Sequence, residues 1–531
     1  MKIARVEALH CDGGWRPWTF VRIETDSGLV GWGECSDNRS PYGIAGSVRD
    51  VADLLIGQDP RPVERLYWDM LRRMRQNYGG VSHKAMAGIE LALWDIKAKS
   101  LGVPVYELFG GPMRDRMRLY WSHCGTTRAR MGQFLGTPPL KSYDDIAALG
   151  REVVQRGFTA LKTNMVIPGD PATVYFPGFA SGINTTDGAP SVEILDAIDR
   201  LIGTFRQAVG PKVGLCLDLN YNFRTEGVLR IAKLLEKYDM QWLEYDNWDP
   251  DALLQIKQST STRLASCESL VSVRQYRPFL EKHAVDVAII DVPWNGFSQS
   301  VQIGRLAEAC EINIAPHNYY SHLADLHSLH LCAVLPNVRI MEIDIDDVPW
   351  KGALVTKPPE IRDGHIWLTD APGWGADVNE KVLAEHPWPR PAVAGPRPGM
   401  LAQHTFVDVR APARRVAQPD VPVANRRRLG DERSLPRHVV DVDLHDPHVR
   451  EHRTEVERVQ VGQVTVVVVR RDVDLARLGQ PADLHRLREA VPRHVDDRHV
   501  DRVLLQKRPV LPQAHQALAR GQPRRGRLLD L

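Results

Sequence analysis

The chain has 531 residues, with 68 Lys and Arg against 66 Asp and Glu, for a formal charge of +2. That length leaves room for more than one domain and a large core, and so even a balance gives no global pull toward nucleic acid or a membrane surface. Seven cysteines without a CxxC pair argue against a disulfide framework. No apolar run approaches membrane-spanning length and no signal peptide precedes the first strand pattern, so a cytoplasmic protein is expected.

Residues 1–115 read as an α+β domain. Apolar alternation predicts antiparallel strands over 6–11, 19–25 and 28–35, with Asp26-Ser27-Gly28 as a hairpin turn. Helical periodicity follows over 47–56, 63–75 and 82–100, the last stopped by Gly102 and Pro104. Two loops in this region, 12–18 and 36–44, are polar and stand apart from the strand pattern; the second carries Asn38, Arg39 and Tyr42.

From residue 116 to 390 the pattern changes. Short aliphatic runs at 118–124, 160–164, 213–219, 241–245, 264–268, 287–292, 312–317 and 338–343 alternate with helical stretches at 143–156, 192–209, 227–238, 273–283, 298–311 and 323–335. Continuous apolar runs are what parallel strands buried on both faces require. Eight of them in about 225 residues predict a (β/α) barrel. A Gly/Pro/Thr-rich insertion at 166–191 leaves the second strand at the functional end and is expected to be a lid. Four runs end in a chemically useful residue: Asp218, Glu244, Glu268 and His317. In a barrel those strand ends meet at one mouth. Three carboxylates there make a hard, all-oxygen site suited to Mg²⁺ rather than zinc. One strand-end acid alone is as readily a structural cap; four in register form a pattern.

The run Ala85-Met-Ala-Gly-Ile-Glu-Leu-Ala-Leu-Trp-Asp-Ile-Lys97, followed by Gly102-Val-Pro-Val-Tyr-Glu-Leu-Phe-Gly-Gly111, resembles the mandelate racemase/muconate lactonizing branch of the enolase superfamily. The resemblance covers about residues 1–390, and Lys162-Thr-Asn164, Asp218-Leu-Asn220, Glu244, Glu268, Asp291 and His317 fall where that family keeps its active-site residues. It implies an α+β capping domain over a modified (β/α)7β barrel and one Mg²⁺ on Asp218, Glu244 and Glu268. It also implies chemistry that begins by removing the proton α to a substrate carboxylate. Relatives are commonly oligomers, so a homo-oligomer is expected, with a small carboxylate as its ligand.

The physical logic agrees. Removing that proton creates a dianion, which a cation on the carboxylate oxygens stabilises; enolase-superfamily sites are a standard example of a Lys or His base working with Mg²⁺. His317 has an intrinsic pKa suited to taking and returning a proton, and Asp291 would orient it as in other His–Asp pairs. Lys162 would polarise the substrate carboxylate. Glu342 would face that carboxylate from the far side, protonated if it follows the family, with Asp344 and Asp346 as competitors.

Two positions depart from the commonest patterns. Many relatives carry Lys-x-Lys where this chain has Lys162-Thr-Asn164, and Asn164 cannot act as a base. Galactonate-dehydratase-like enzymes place a histidine where this chain has Asn220. With His317 as the single base, loss of the α-proton and of a β-hydroxyl from one face, a syn dehydration, is the expected reaction. A racemase, epimerase or cycloisomerase and a catalytically lapsed binder are the alternatives. Tyr175, Tyr319 and Tyr320 are candidate second acids. Asn164, Asn220, Arg39 and Asn318, with Asn38, Asn77, Asn222 and His123, make the mouth polar, which suits a sugar acid better than an aromatic one.

Residues 391–531 are of another kind. They contain no Ile, Tyr, Trp or Cys, and only Lys507 and Phe406 of their types, while Arg, Val, Asp, His, Pro and Leu dominate. Interspersed acids and absent aromatics argue against a nucleic-acid-binding tail. Translation of a GC-rich gene in a shifted frame explains the composition better, and little stable structure is expected.

Overall fold

In a computed structural model of the chain, residues 1–176, 188–388, 454–461 and 464–471 are described. The alternating N-terminal runs form an antiparallel meander of β1 (Ile3–Asp12), β2 (Pro17–Thr25) and β3 (Val30–Glu34). Gly28 takes a left-handed φ of 80° in the turn between β2 and β3, a conformation that glycine reaches without a Cβ clash. Three helices follow: α1 (Pro41–Leu55), α2 (Val63–Arg73) and α3 (Gly80–Leu101). Helix α3 lies against β3 at backbone distance, because a Cβ on Gly33 would sit 2.1 Å from the Gly88 carbonyl oxygen.

The acids of α3 explain why its sequence is so characteristic. Buried Glu90 accepts from Trp94 Nε1 (2.6 Å), Phe297 N (2.7 Å) and Ser298 N (3.0 Å). Buried Asp95 accepts from Trp32 N (2.9 Å) and Trp374 N (3.1 Å) and pairs with Lys99. One helix of the cap thus satisfies backbone donors of β3, of a barrel helix and of the returning C-terminal segment. Each of those donors would cost about 1–3 kcal/mol if left buried and unpaired.

The barrel opens with β4 (Arg116–Ser122), α4 (Thr126–Leu135), α5 (Tyr143–Gln155) and β5 (Ala160–Thr163). A small hairpin of β6 (Val166–Ile167) and β7 (Thr173–Val174) then precedes α6 (Val192–Val209). The repeat continues through β8 (Gly214–Asp218), α7 (Thr225–Leu235), β9 (Trp242–Glu244), α8 (Pro250–Gln258), β10 (Leu264–Ser266), α9 (Ser272–Glu281) and β11 (Val287–Asp291). It ends with α10 (Val292–Asn295), α11 (Phe297–Ala309), β12 (Asn313–His317), α12 (His322–Val334) and β13 (Met341–Asp344).

The eight strands β4, β5 and β8 to β13 run parallel in that order. β13 pairs back onto β4, and Ile314 bridges to Val338 on the β12 side. No α-helix follows β13 before the hairpin of β14 (Ile361–Arg362) and β15 (His365–Trp367), whose β15 pairs with β4; α13 (Glu380–Glu385) comes after it. This is the expected (β/α)7β arrangement under an α+β cap. Inward-facing Tyr120, Cys216, Trp242, Val287 and Ile289 fill the barrel as a layer separate from the main core.

Some elements have no counterpart in the sequence reading. Helix α4 has no counterpart among the predicted helical stretches. Its periodicity is broken at Met131, where φ is −134°. In the C-terminal extension, β16 (Thr454–Val461) and β17 (Val464–Arg471) pair as an antiparallel hairpin in a unit of their own. Part of the expected lid, 177–187, and the rest of the extension lie outside the described residues. No described helix is long and apolar enough to cross a membrane, and all seven cysteines are free.

Candidate active site

Parallel register brings the strand ends level. Asp218 is the direct partner of Glu244 across β8 and β9, and Asp291 of His317 across β11 and β12. Glu268 lies two residues beyond β10, after Cys267, whose φ of 91° is a left-handed conformation unusual for a non-glycine residue. That turn redirects the chain at the mouth, where Glu268 is the most open of the three acids at 15% exposure, against 4% for Asp218 and 1% for Glu244.

Asp291 holds His317 and is itself held. Its Oδ2 lies 2.7 Å from His317 Nδ1 and accepts from Tyr320 Oη (2.6 Å), while Oδ1 accepts from Trp294 N (2.8 Å) at the start of α10. A carboxylate acceptor fixes the proton on Nδ1, which leaves Nε2 as the basic nitrogen. Nε2 is 3.5 Å from Glu268 Oε1 and 3.9 Å from Glu342 Oε2. Burial pulls the His317 pKa down, but Glu268, Glu342 and Asp291 outweigh it and raise it to about 10.

Lys162 bridges two acids, with Nζ 2.9 Å from both Glu244 Oε1 and Glu342 Oε1. Burial works to discharge it, yet those two carboxylates raise its pKa, so it remains an ammonium. Glu244 Oε2 accepts from Trp242 Nε1 (2.9 Å). Glu342 also accepts from Ser122 Oγ and from Asn318 N (3.0 Å). Burial raises the Glu342 pKa, but Lys162, His317 and His123 overcome this and hold it down to about 2. The Lys162 ammonium beside Glu342 favours its carboxylate form, where the resemblance implied a protonated carboxyl. Its two competitors are engaged elsewhere: Asp344 with His123 (2.8 Å) and Arg16, and Asp346 with Arg128 (2.9 Å).

The expected substrate-binding amides are committed to the site's own acids. Asn164 Nδ2 donates to Asp218 Oδ2 (3.2 Å) and its Oδ1 accepts from Thr126. Asn220, in a left-handed turn, donates to Asp218 from both its backbone N (2.7 Å) and its Nδ2 (3.0 Å). Asn318 is fully buried and donates to Asp325, while its backbone holds Glu342. Arg39 is exposed in the cap loop, its backbone N donating to Asp37 (2.6 Å). Of the candidate tyrosines, Tyr320 is bonded to Asp291, Tyr319 is stacked on Trp15 and Tyr175 is stacked on Phe223.

The acids fit a hard dication in kind. Burial raises Glu244 to about 8; Lys162 opposes this, while the charges of Asp218, Glu342 and Glu268 add to it. Burial also raises Glu268, with Asp218 adding to it. Asp246, two residues beyond Glu244, is a fourth acid in the cluster; burial, Glu268, Glu244 and Asp218 all push its pKa up. Sequence reading missed it, although a residue at i+2 from a strand-end acid was its available signal. Crowded, buried carboxylates of one sign are the environment that a divalent cation relieves. Among the described residues no three His, Cys, Asp or Glu side chains yet form a closed ligand set. Asp218 is held by Asn164 and Asn220, and Glu244 by Lys162 and Trp242. The strands provide the donors, with Glu268 nearest to open space.

Cap residues also reach the site. Trp294, after Asp291, donates to Ser36 O (2.7 Å) and lies under Lys84 Nζ, 3.2 Å from its ring centroid. Glu34 accepts from Ser321 and from Ala324 N (3.1 Å) at the start of α12.

A capped barrel with a His–Asp pair facing a carboxylate cluster at its mouth is the build of an acid–base enzyme. Sequence comparison agrees with that class. Residues 14–110 match the mandelate racemase/muconate lactonizing enzyme N-terminal domain, and residues 145–382 the enolase C-terminal domain-like family. The chain belongs to the mandelate racemase/muconate lactonizing enzyme family of the enolase superfamily. It is 31% identical to a D-galactonate dehydratase family member from Streptomyces bingchenggensis, over 73% of this chain and 93% of that protein. It is 29% identical to D-xylonate dehydratase from Haloferax volcanii, over 72% and 89%. Among solved structures, a Burkholderia xenovorans protein assigned as an L-alanine-DL-glutamate epimerase, bound to magnesium and fumarate, matches with a TM-score of 0.70. It is 38% identical, over 73% of this chain and 96% of that one.

Proposed function

We propose that this protein is a Mg²⁺-dependent hydro-lyase that dehydrates a sugar acid to a 2-keto acid. The observation that carries the reading is the His317–Asp291 pair, 2.7 Å apart, with Nε2 turned to the acids and only Asn164 where a second base would stand. Relatives named as sugar-acid dehydratases support it.

Asp218, Glu244 and Glu268 would hold a divalent cation, which would stabilise a carboxylate as it becomes a dianion and would offset the acid charge that keeps a proton on His317. His317 Nε2 takes the α-proton, and Asp291 keeps Nδ1–H in place and stabilises the imidazolium. The Cα–H electron pair moves into the enediolate, whose far oxygen is served by the Lys162 ammonium. The imidazolium then gives its proton to the β-hydroxyl on the same face. The Cβ–O bond breaks, water leaves, and the enol tautomerises to the 2-keto acid, so atoms and charge balance.

An epimerase is the second reading, favoured by the 38% identity to the Burkholderia protein. It needs a proton donor on the opposite face, and Asn164 cannot be one. The test is the full chain with Mg²⁺ and a panel of aldonic and aldaric acids, followed for 2-keto product. A keto acid lost on adding EDTA is expected. Inverted substrate without keto acid would turn the assignment to the epimerase.

A further inference from the structure

One cation at the mouth lacks the acidic partner that its neighbours have. Arg130, on α4, is partly buried. Its guanidinium carbon lies 4.7 Å from the ring centroid of Trp15, in the cap loop, and 4.6 Å from that of Phe176, after β7. Among the described residues it makes no ion pair or hydrogen bond with a carboxylate. Its neighbour Arg16 is, by contrast, fully engaged: with Asp347 (2.9 Å), Asp344 (3.4 Å) and the carbonyl oxygens of Tyr319 (2.6 Å) and Gly13 (2.9 Å). Asp344, the acid closest in effect to Arg130, is already shared between Arg16 and His123. Burial lowers the Arg130 pKa to about 10, Asp344 opposing, with Arg16 and Arg39 adding repulsion.

A second donor beside it is also unanswered. Among the described residues, Trp15 Nε1 is buried and has no hydrogen-bond partner. Buried donors in folded proteins are nearly always paired, and one left over beside a cation can be met by an anionic acceptor. A row of rings links these donors to His317. Trp15 stacks on Tyr319 at 5.6 Å with 14° between planes, and Tyr319 meets His317 edge-on at 5.1 Å.

We propose that Arg130 and Trp15 Nε1–H form a subsite for a second carboxylate, at the end of the substrate remote from the one His317 works beside, so that the substrate is a sugar diacid. The inference rests on the dehydratase reading only for the location of the reacting end. Arginine suits this role because its planar fork matches a carboxylate, and contacts to aromatic rings can hold it without using its N–H groups. A neutral terminal CH₂OH leaves the guanidinium charge uncompensated. A dianionic substrate completes it.

The test is binding, so it does not depend on turnover. Titrate the full chain with Mg²⁺ against six-carbon aldonates, each paired with the aldarate of the same configuration, and against an aldonate 6-phosphate. At least one aldarate is expected to bind about 10–100-fold more tightly than its aldonate, the worth of a charge-assisted hydrogen bond. Arg130→Met should abolish that preference while leaving aldonate affinity unchanged. Arg130→Lys should retain part of it, and Trp15→Phe should reduce it. Aldarates binding no better than aldonates, or not at all, would overturn the subsite. So would a preference that survives in Arg130→Met, or a phosphate preferred over the carboxylate. A diacid preference that tracks Arg130 without any keto acid being formed would leave the subsite standing and remove the dehydratase reading instead.

Discussion

Replacing Lys162 by Met should destabilise the protein sharply, although no hydrophobic contact is lost. The ammonium is 3% exposed and, among the described residues, is the one cation within 2.9 Å of both Glu244 and Glu342, themselves 1% and 0% exposed. Removing one partner of a buried pair costs about 3–5 kcal/mol, because the remaining charge is stranded without water. Met is unbranched and similar in volume, so the cavity contribution is small. With about 2.1 cal/mol/K of unfolding entropy per residue over roughly 390 residues of cap and barrel, the loss corresponds to about 4–6 °C in Tm. Thermal unfolding of wild type and variant, followed by near-ultraviolet circular dichroism, measures it. Lys141→Met, which removes an exposed pair with Asp170, is the control and should leave the transition where it was. A Lys162→Met variant melting within a degree of wild type would refute the claim that both acids depend on that ammonium.

Two further outcomes follow from the geometry. Asp291→Asn keeps the shape but removes the charge that fixes Nδ1–H, so kcat should fall by about 10²–10⁴ with little change in KM; a loss under tenfold would make Asp291 merely structural. Burial raises Glu34 from 4.5 to about 7 despite its bonds from Ser321 and Ser36. A raised folded pKa contributes stability that is complete below 4.5 and is lost as pH climbs through 7, a span of roughly 3 kcal/mol. The Tm difference between wild type and Glu34→Gln should therefore shift against wild type between pH 5 and pH 8, and a pH-independent difference would contradict it.

How much of this was legible in the sequence depended on whether a residue's role is set by its own neighbourhood in the chain. The barrel strands were visible because burial on both faces demands continuous apolar runs, and Asp218, Glu244 and His317 were visible because each closes one. What the asparagines do was not legible. Asn164 and Asn220 read as polar groups for a ligand, but both turn to Asp218, a choice made by neighbouring strands and by the left-handed turn at Asn220. The cation beside Glu342 was hidden for the same reason, since Lys162 lies 180 positions earlier in the chain (342 − 162). Helix α4, with its break at Met131, carried too weak a periodicity to be seen, and with it went Arg130.

The central claim is that His317 alone takes and returns the proton. The measurement that tests it most directly follows the α-hydrogen of a turned-over sugar acid in D₂O with Mg²⁺, comparing wild type with His317→Asn. The account predicts that wild type forms keto acid and that the variant, still folded and still binding the acid, shows neither product nor α-deuterium. Deuterium appearing at the α-carbon in the variant at anything near the wild-type rate would contradict it, and would mean that another residue at the mouth is the base.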